Sequence, residues 1–91
     1  MDTIYTEVVG TTCYVNDERG VVAGLHSERR RIIAAFVRLD ERDAMLYVSL
    51  GATTGERGTW REVVAAREID REEFDRINGL DTLRREMGWA A

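Results

Sequence analysis

Apolar residues along the chain fall in short runs broken by polar or glycine-bearing segments, and the run lengths set the predicted elements. Residues 3–9 (Thr-Ile-Tyr-Thr-Glu-Val-Val) and 11–15 (Thr-Thr-Cys-Tyr-Val) are dense in β-branched and aromatic side chains, which suit a pleated, half-buried surface. Gly10 marks a bend between them, Asn16 to Gly20 is a turn cluster, and Val21 to Leu25 is a further run of strand length. Together they predict a β-hairpin with a loop of several residues.

The stretch from Glu28 to Leu39 supports two readings. Ile32, Ile33, Phe36, Val37 and Leu39 recur at spacings that fit one helical face, and Ser27 stands where an N-cap belongs. As a strand the stretch does not alternate, so it would have to be covered on both faces. The helix is the favoured reading, although Arg29, Arg30 and Arg31 in its first turn oppose the helix dipole.

Beyond the polar break at Asp40 to Asp43, Ala44 to Leu50 reads as a buried strand. Gly51 to Gly58 reads as a glycine-rich hairpin loop. Thr59 to Ile69 reads as a strand packing through Trp60, Val63 and Val64. Asp70 is a good N-cap, with Glu73 placed to complete a capping box, Phe74 and Ile77 on one face, and Asn78-Gly79 as the stop. Asp81 can open a second short helix in which Leu83 and Met87 pair. The expected fold is a small α+β domain spanning residues 1–91. It has an antiparallel sheet of four to five strands (hairpin, helix, two strands) and a helical C-terminus.

Composition narrows the function classes. At 91 residues, 44% hydrophobic and 33% charged, the chain is an ordinary single globular domain rather than a disordered one. No run approaches the ~20 apolar residues of a membrane span, and no basic segment followed by an apolar one opens the chain. A cytoplasmic protein that does not engage membranes is the expectation. One cysteine (Cys13) and one histidine (His26) exclude an internal disulfide and leave too few ligands for a structural zinc site. No metal and no cofactor is expected.

Catalytic constellations are equally thin. His26 and Ser27 are adjacent in sequence, which rarely lets two side chains meet productively, and Cys13 reads as a small core residue rather than a thiolate. The Gly51–Gly58 loop lacks the Gly-Lys-Ser/Thr of a phosphate-binding loop, since the chain contains no lysine. The acidic pairs Asp17-Glu18, Asp40-Glu41 and Glu72-Glu73 sit at turns or in a first helical turn, where solvation explains them. A non-enzymatic protein is the expectation.

Charge is unevenly spread. The chain carries −4 net, yet residues 26–42 hold five arginines against three acids. All thirteen basic residues are arginine, which reflects either codon bias in a GC-rich genome or a use for planar, bidentate donors. On a helix, Arg31, Arg38 and Arg42 form a stripe, and Arg29, Arg30, Arg31, Arg38 and Arg42 together make a candidate nucleic-acid surface, stronger in a dimer. The acidic C-terminal segment offers the opposite surface. There Glu72, Glu73 and Asp75, with Trp89 as an anchor, are the candidate contacts for a larger protein partner.

The leading expectation is a small regulatory protein that binds and blocks a larger protein. Size and charge alone are analogous to bacterial or phage inhibitors, antitoxins and anti-CRISPR proteins. The alternative is a dimeric nucleic-acid-binding regulator using the arginines at 29–42. Trp60 and Trp89 also give a chain this small the means to pair as a homodimer across a two-fold axis.

Overall fold

A computed structural model describes residues 2–54 and 59–79. It contains β1 (Thr3–Tyr5), β2 (Thr12–Val15), β3 (Glu18–Glu28), β4 (Arg31–Leu39), β5 (Met45–Thr54), β6 (Trp60–Ile69) and one short helix, α1 (Arg71–Ile77). The strands form one antiparallel sheet in the order β1-β6-β5-β4-β3-β2. The sheet curls until its two edges nearly meet, giving a barrel-like sheet that is nearly closed. At the seam the Asn16 backbone N–H donates to the Asp2 carboxylate at 2.8 Å. Ile4 of β1 joins Cys13 and Val15 of β2 in the same core.

This overturns the α+β expectation of a four- to five-stranded sheet with a helix between the hairpin and the last two strands. The stretch expected as a helix is instead a tight hairpin turn followed by β4. Glu28 pairs with Arg31, and the pairing continues to Leu39 opposite Gly20. The continuous apolar run of β4 has a direct cause, because both faces of the strand are covered. Ala35 and Val37 point into the barrel beside Val22, Leu46 and Val48. Phe36 points outward, 1% exposed, under an aromatic cluster of His26, Tyr47 and Phe74, with Phe74 of α1 at 4.8 Å between ring centroids. A helix would have buried one face only and set three arginines against its own dipole.

Curvature comes from irregular register. Ala23 interrupts the β3–β4 ladder between Val22 and Gly24, a second irregularity falls between His26 and Ser27, and the β5–β6 ladder shifts twice around Leu50. Such bulges bend a strand and sharpen its twist, which a closing sheet requires. Gly20 is fixed by close approach: a Cβ there would stand 2.6 Å from Val37 Cγ1 and 2.7 Å from the Arg38 carbonyl oxygen.

The C-terminal helix starts where expected. Asp70 accepts a hydrogen bond from the Glu73 backbone N–H at 2.8 Å, and the element ends at Asn78 with Gly79 at φ 72°. Glu73 does not complete a capping box, because its carboxylate pairs with Arg67. The second helix expected from Asp81, and Trp89, lie outside the described residues. The expected Gly51–Gly58 loop is overturned in its first half, because residues 51–54 continue strand β5, and residues 55–58 lie outside the described residues. Of the three residues expected to pack β6, only Val63 packs against the core, whereas Trp60 and Val64 are 44% and 64% exposed. Among the described residues no helix is long and apolar enough to cross a membrane.

Candidate functional site

Two hairpins run past the body of the sheet at the same end. Strand β4 pairs with β5 only from Ala34 onward, so Ser27 to Ile32 form a two-stranded finger. The β5–β6 hairpin likewise continues to Thr54 opposite Trp60. Arg61 ties the two together. It sits opposite the core residue Ile4, is 7% exposed, and donates from Nε to the Gly51 carbonyl and from Nη1 to the Ile32 carbonyl, each at 2.8 Å. A buried guanidinium satisfied by carbonyl oxygens is a costly way to fill the end of a core, and it fixes the base of the finger against β5 and β6.

The finger ends in Arg29-Arg30, with φ of 52° and 65°. Positive φ at both central residues of a two-residue loop is the type I′ arrangement, which favours Asn-Gly because other side chains clash there. The same protein builds the β2–β3 turn in the same way at Asn16-Asp17, with φ of 51° and 65°, using residues that tolerate the conformation. The β3–β4 turn instead places two arginines where each costs about 1 kcal/mol or more. Strain of this kind at an exposed tip is a reason to ask what the side chains do.

Arg29, Arg30 and Arg31 are all exposed, and among the described residues none has a carboxylate partner. The nearest acid in sequence, Glu28, is turned along β3 toward His26, with Oε1 3.6 Å from Nε2. Elsewhere among the described residues, apart from the exposed Arg38 and Arg76, the arginines are consumed internally. Arg42 takes Glu18 in a bidentate pair at 2.9 and 3.1 Å and Glu68 at 2.9 Å, which lowers the Glu18 carboxyl below its ordinary range through the hydrogen bonds from Arg42. Arg19 pairs with Asp40, and Arg67 pairs with Glu73 while lying over the Tyr47 ring.

The stripe expected from Arg31, Arg38 and Arg42 does not form. Seven residues of extended strand separate Arg31 from Arg38 by roughly 23 Å, so the cluster divides between the two ends of the barrel. The acidic C-terminal surface is also largely withdrawn. Asp75 is 8% exposed beside Arg71, and Glu73 is held by Arg67, which leaves Glu72 exposed.

Cys13 and His26 are not brought together. Cys13 faces the core, and burial, aided by the charges of Asp40 and Asp2, pushes its thiol up to about 11, away from thiolate reactivity. His26 lies on the outer face among Phe36 and Tyr47. Among the described residues no group of three His, Cys, Asp or Glu side chains is placed to hold a metal ion.

Sequence reasoning missed Arg61 and the turn at Arg29-Arg30. The signal for the turn was present: a polar stretch, Ser27 to Arg31, between two apolar runs of strand length is a hairpin pattern. Nothing in the sequence marked Arg61. Compared with known proteins, the chain matches no family model, no curated protein and no solved structure at a significant level.

Proposed function

We propose that this protein is a non-enzymatic interaction domain that binds a larger protein partner, occupying the partner's surface with the Arg29–Arg31 finger. The observation that carries the reading is the finger itself. Three consecutive exposed guanidiniums have no carboxylate partner among the described residues, and two of them are held in a backbone conformation that arginine disfavours. The finger replaces the acidic surface at Glu72, Glu73 and Asp75 as the contact region, because two of those three acids are committed internally. Arg61 gives it a rigid base, and a rigid contact loses less freedom on binding than a mobile one.

The test is a pull-down from the native host's lysate with nuclease-treated and untreated halves, run with the native protein and with Arg29→Ala/Arg30→Ala/Arg31→Ala. A protein recovered in both halves by the native chain and lost with the triple variant supports the reading. Recovery that survives the triple variant refutes the finger as the contact. Recovery that collapses with nuclease in both chains assigns the partner to nucleic acid and refutes the protein-binding reading.

A further inference from the structure

We infer that the partner's matching patch is a local cluster of carboxylates on a folded protein, gripped by Arg29 and Arg30; this rests on the finger being the binding end. Guanidinium groups present planar forks that match carboxylates bidentately, as Arg42 does with Glu18 within this chain. The finger is the part of the described chain where such forks stand free in sequence. A type I′ turn at the end of a two-stranded ribbon projects them ahead of the body.

The rest of the molecule decides between an acidic protein and a polyanion. The chain is −4 overall; the exposed acids Glu7 and Glu72 lie outside the finger, and Glu28 within it is turned toward His26. A nucleic acid presents negative charge along its whole length and would meet those acids as well as the finger. A folded partner can confine its carboxylates to one patch, so a basic tip on an acidic body suits that geometry.

The experiment measures fluorescence polarisation of a labelled twelve-residue Glu/Asp peptide and of a labelled twenty-nucleotide oligo-dT, each at low and physiological salt. Proteins are the native chain, Arg29→Asn/Arg30→Gly, Arg29→Lys/Arg30→Lys, and Arg38→Gln as an exposed arginine outside the finger. The expected result is peptide binding that weakens about tenfold or more with Asn-Gly, in line with loss of charged hydrogen bonds. Lys-Lys should fall in between, Arg38→Gln should leave binding unchanged, and oligo-dT should bind more weakly than the peptide. The Asn-Gly variant carries the preferred sequence for its turn, so lost binding with an unchanged or raised melting temperature is not unfolding. Peptide binding that Asn-Gly leaves intact, or oligo-dT binding tighter than peptide, overturns the inference. If the lysate partner depends on the finger while the peptide neither binds nor competes, acid recognition fails and the interaction reading stands. If the partner survives the triple alanine variant, the interaction reading fails first.

Discussion

Replacing Arg29-Arg30 by Asn-Gly should stabilise the protein while removing the proposed contact surface, and the size of the gain follows from the turn geometry. Arg29 and Arg30 stand at φ 52° and 65°, where a side chain with a Cβ crowds the following carbonyl oxygen at a cost of about 1–2 kcal/mol per residue. Asparagine relieves part of that cost and glycine all of it, but glycine returns about 0.5–1 kcal/mol through the greater freedom of the unfolded chain. The net gain is about 1–1.5 kcal/mol. For a domain of this size each kcal/mol moves Tm by about 4–8 °C, so the variant should melt roughly 5–10 °C higher. Thermal denaturation followed by circular dichroism, confirmed by calorimetry, reads the shift. The β2–β3 turn supplies an internal reference: Asn16→Arg/Asp17→Arg puts the same strain into the same turn type and should lower Tm by a comparable amount. Asn16 donates its backbone N–H, not its side chain, to Asp2, so the seam contact can persist in that variant. A Tm that falls or stays level in the Asn-Gly variant refutes the strain argument and with it the reason for reading the finger as functional.

Other features carry their own expectations. Gly20→Ala drives a Cβ to 2.6 Å from Val37 Cγ1 and 2.7 Å from the Arg38 carbonyl oxygen, and because the second of these is backbone, urea unfolding should show a loss of about 2–4 kcal/mol. Arg61→Met removes two hydrogen bonds but also a buried charge, so the loss should be smaller, about 1–3 kcal/mol, while amide exchange quickens at Ala34 and Thr53, where the finger and the β5–β6 hairpin meet the barrel. The Cys13 thiol, raised to about 11, should react with a disulfide reagent at pH 8 only as fast as the protein opens. Because its folded value lies above the ordinary one near 9.0, its contribution to stability holds below that value and is lost as pH rises toward 11. Arg42→Gln should raise the Glu18 carboxyl titration, followed by NMR, with little change in stability because the pair is exposed.

The strands were legible from short runs of β-branched and aromatic residues bounded by polar breaks. The hairpin from residue 11 to 25 and the strand ending at Ile69 could be read in this way, the strand from Ala44 showed as a near-continuous apolar run of strand length, and Asp70 announced the helix that follows. The failure at residues 28–39 has a definite physical origin. Ile32, Ile33, Phe36, Val37 and Leu39 satisfy a helical spacing only because β4 is apolar on both faces, and a filled strand leaves no period to detect. What covers its outer face is Phe74, thirty-eight positions away from Phe36, together with His26 and Tyr47. Local pattern cannot report a cover that distant. The Arg29-Arg30 turn left a weaker trace: the polar stretch from Ser27 to Arg31 marked a break between apolar runs, but neither residue at positive φ is a turn former. Arg61 was unreadable, since an arginine in an exposed register and one folded inward to cap a core look alike in one dimension.

Composition and placement answer different questions about the arginines. A genome that encodes every base as arginine explains why Arg19, Arg42, Arg67 and Arg71 are not lysines, and these four have settled against Asp40, Glu18 and Glu68, Glu73 and Asp75. It does not explain why two arginines occupy the left-handed positions of an exposed turn, since asparagine and glycine are open to the same genome and serve that turn better. Arg29→Lys/Arg30→Lys separates the two accounts, because it keeps the charge and the strain and removes only the planar fork. If composition alone placed the arginines there, the lysine variant should hold the partner as well as the native chain does. If the fork is the reason, binding of the partner should weaken while Tm stays where it was, and the same substitution at Arg38 should change neither.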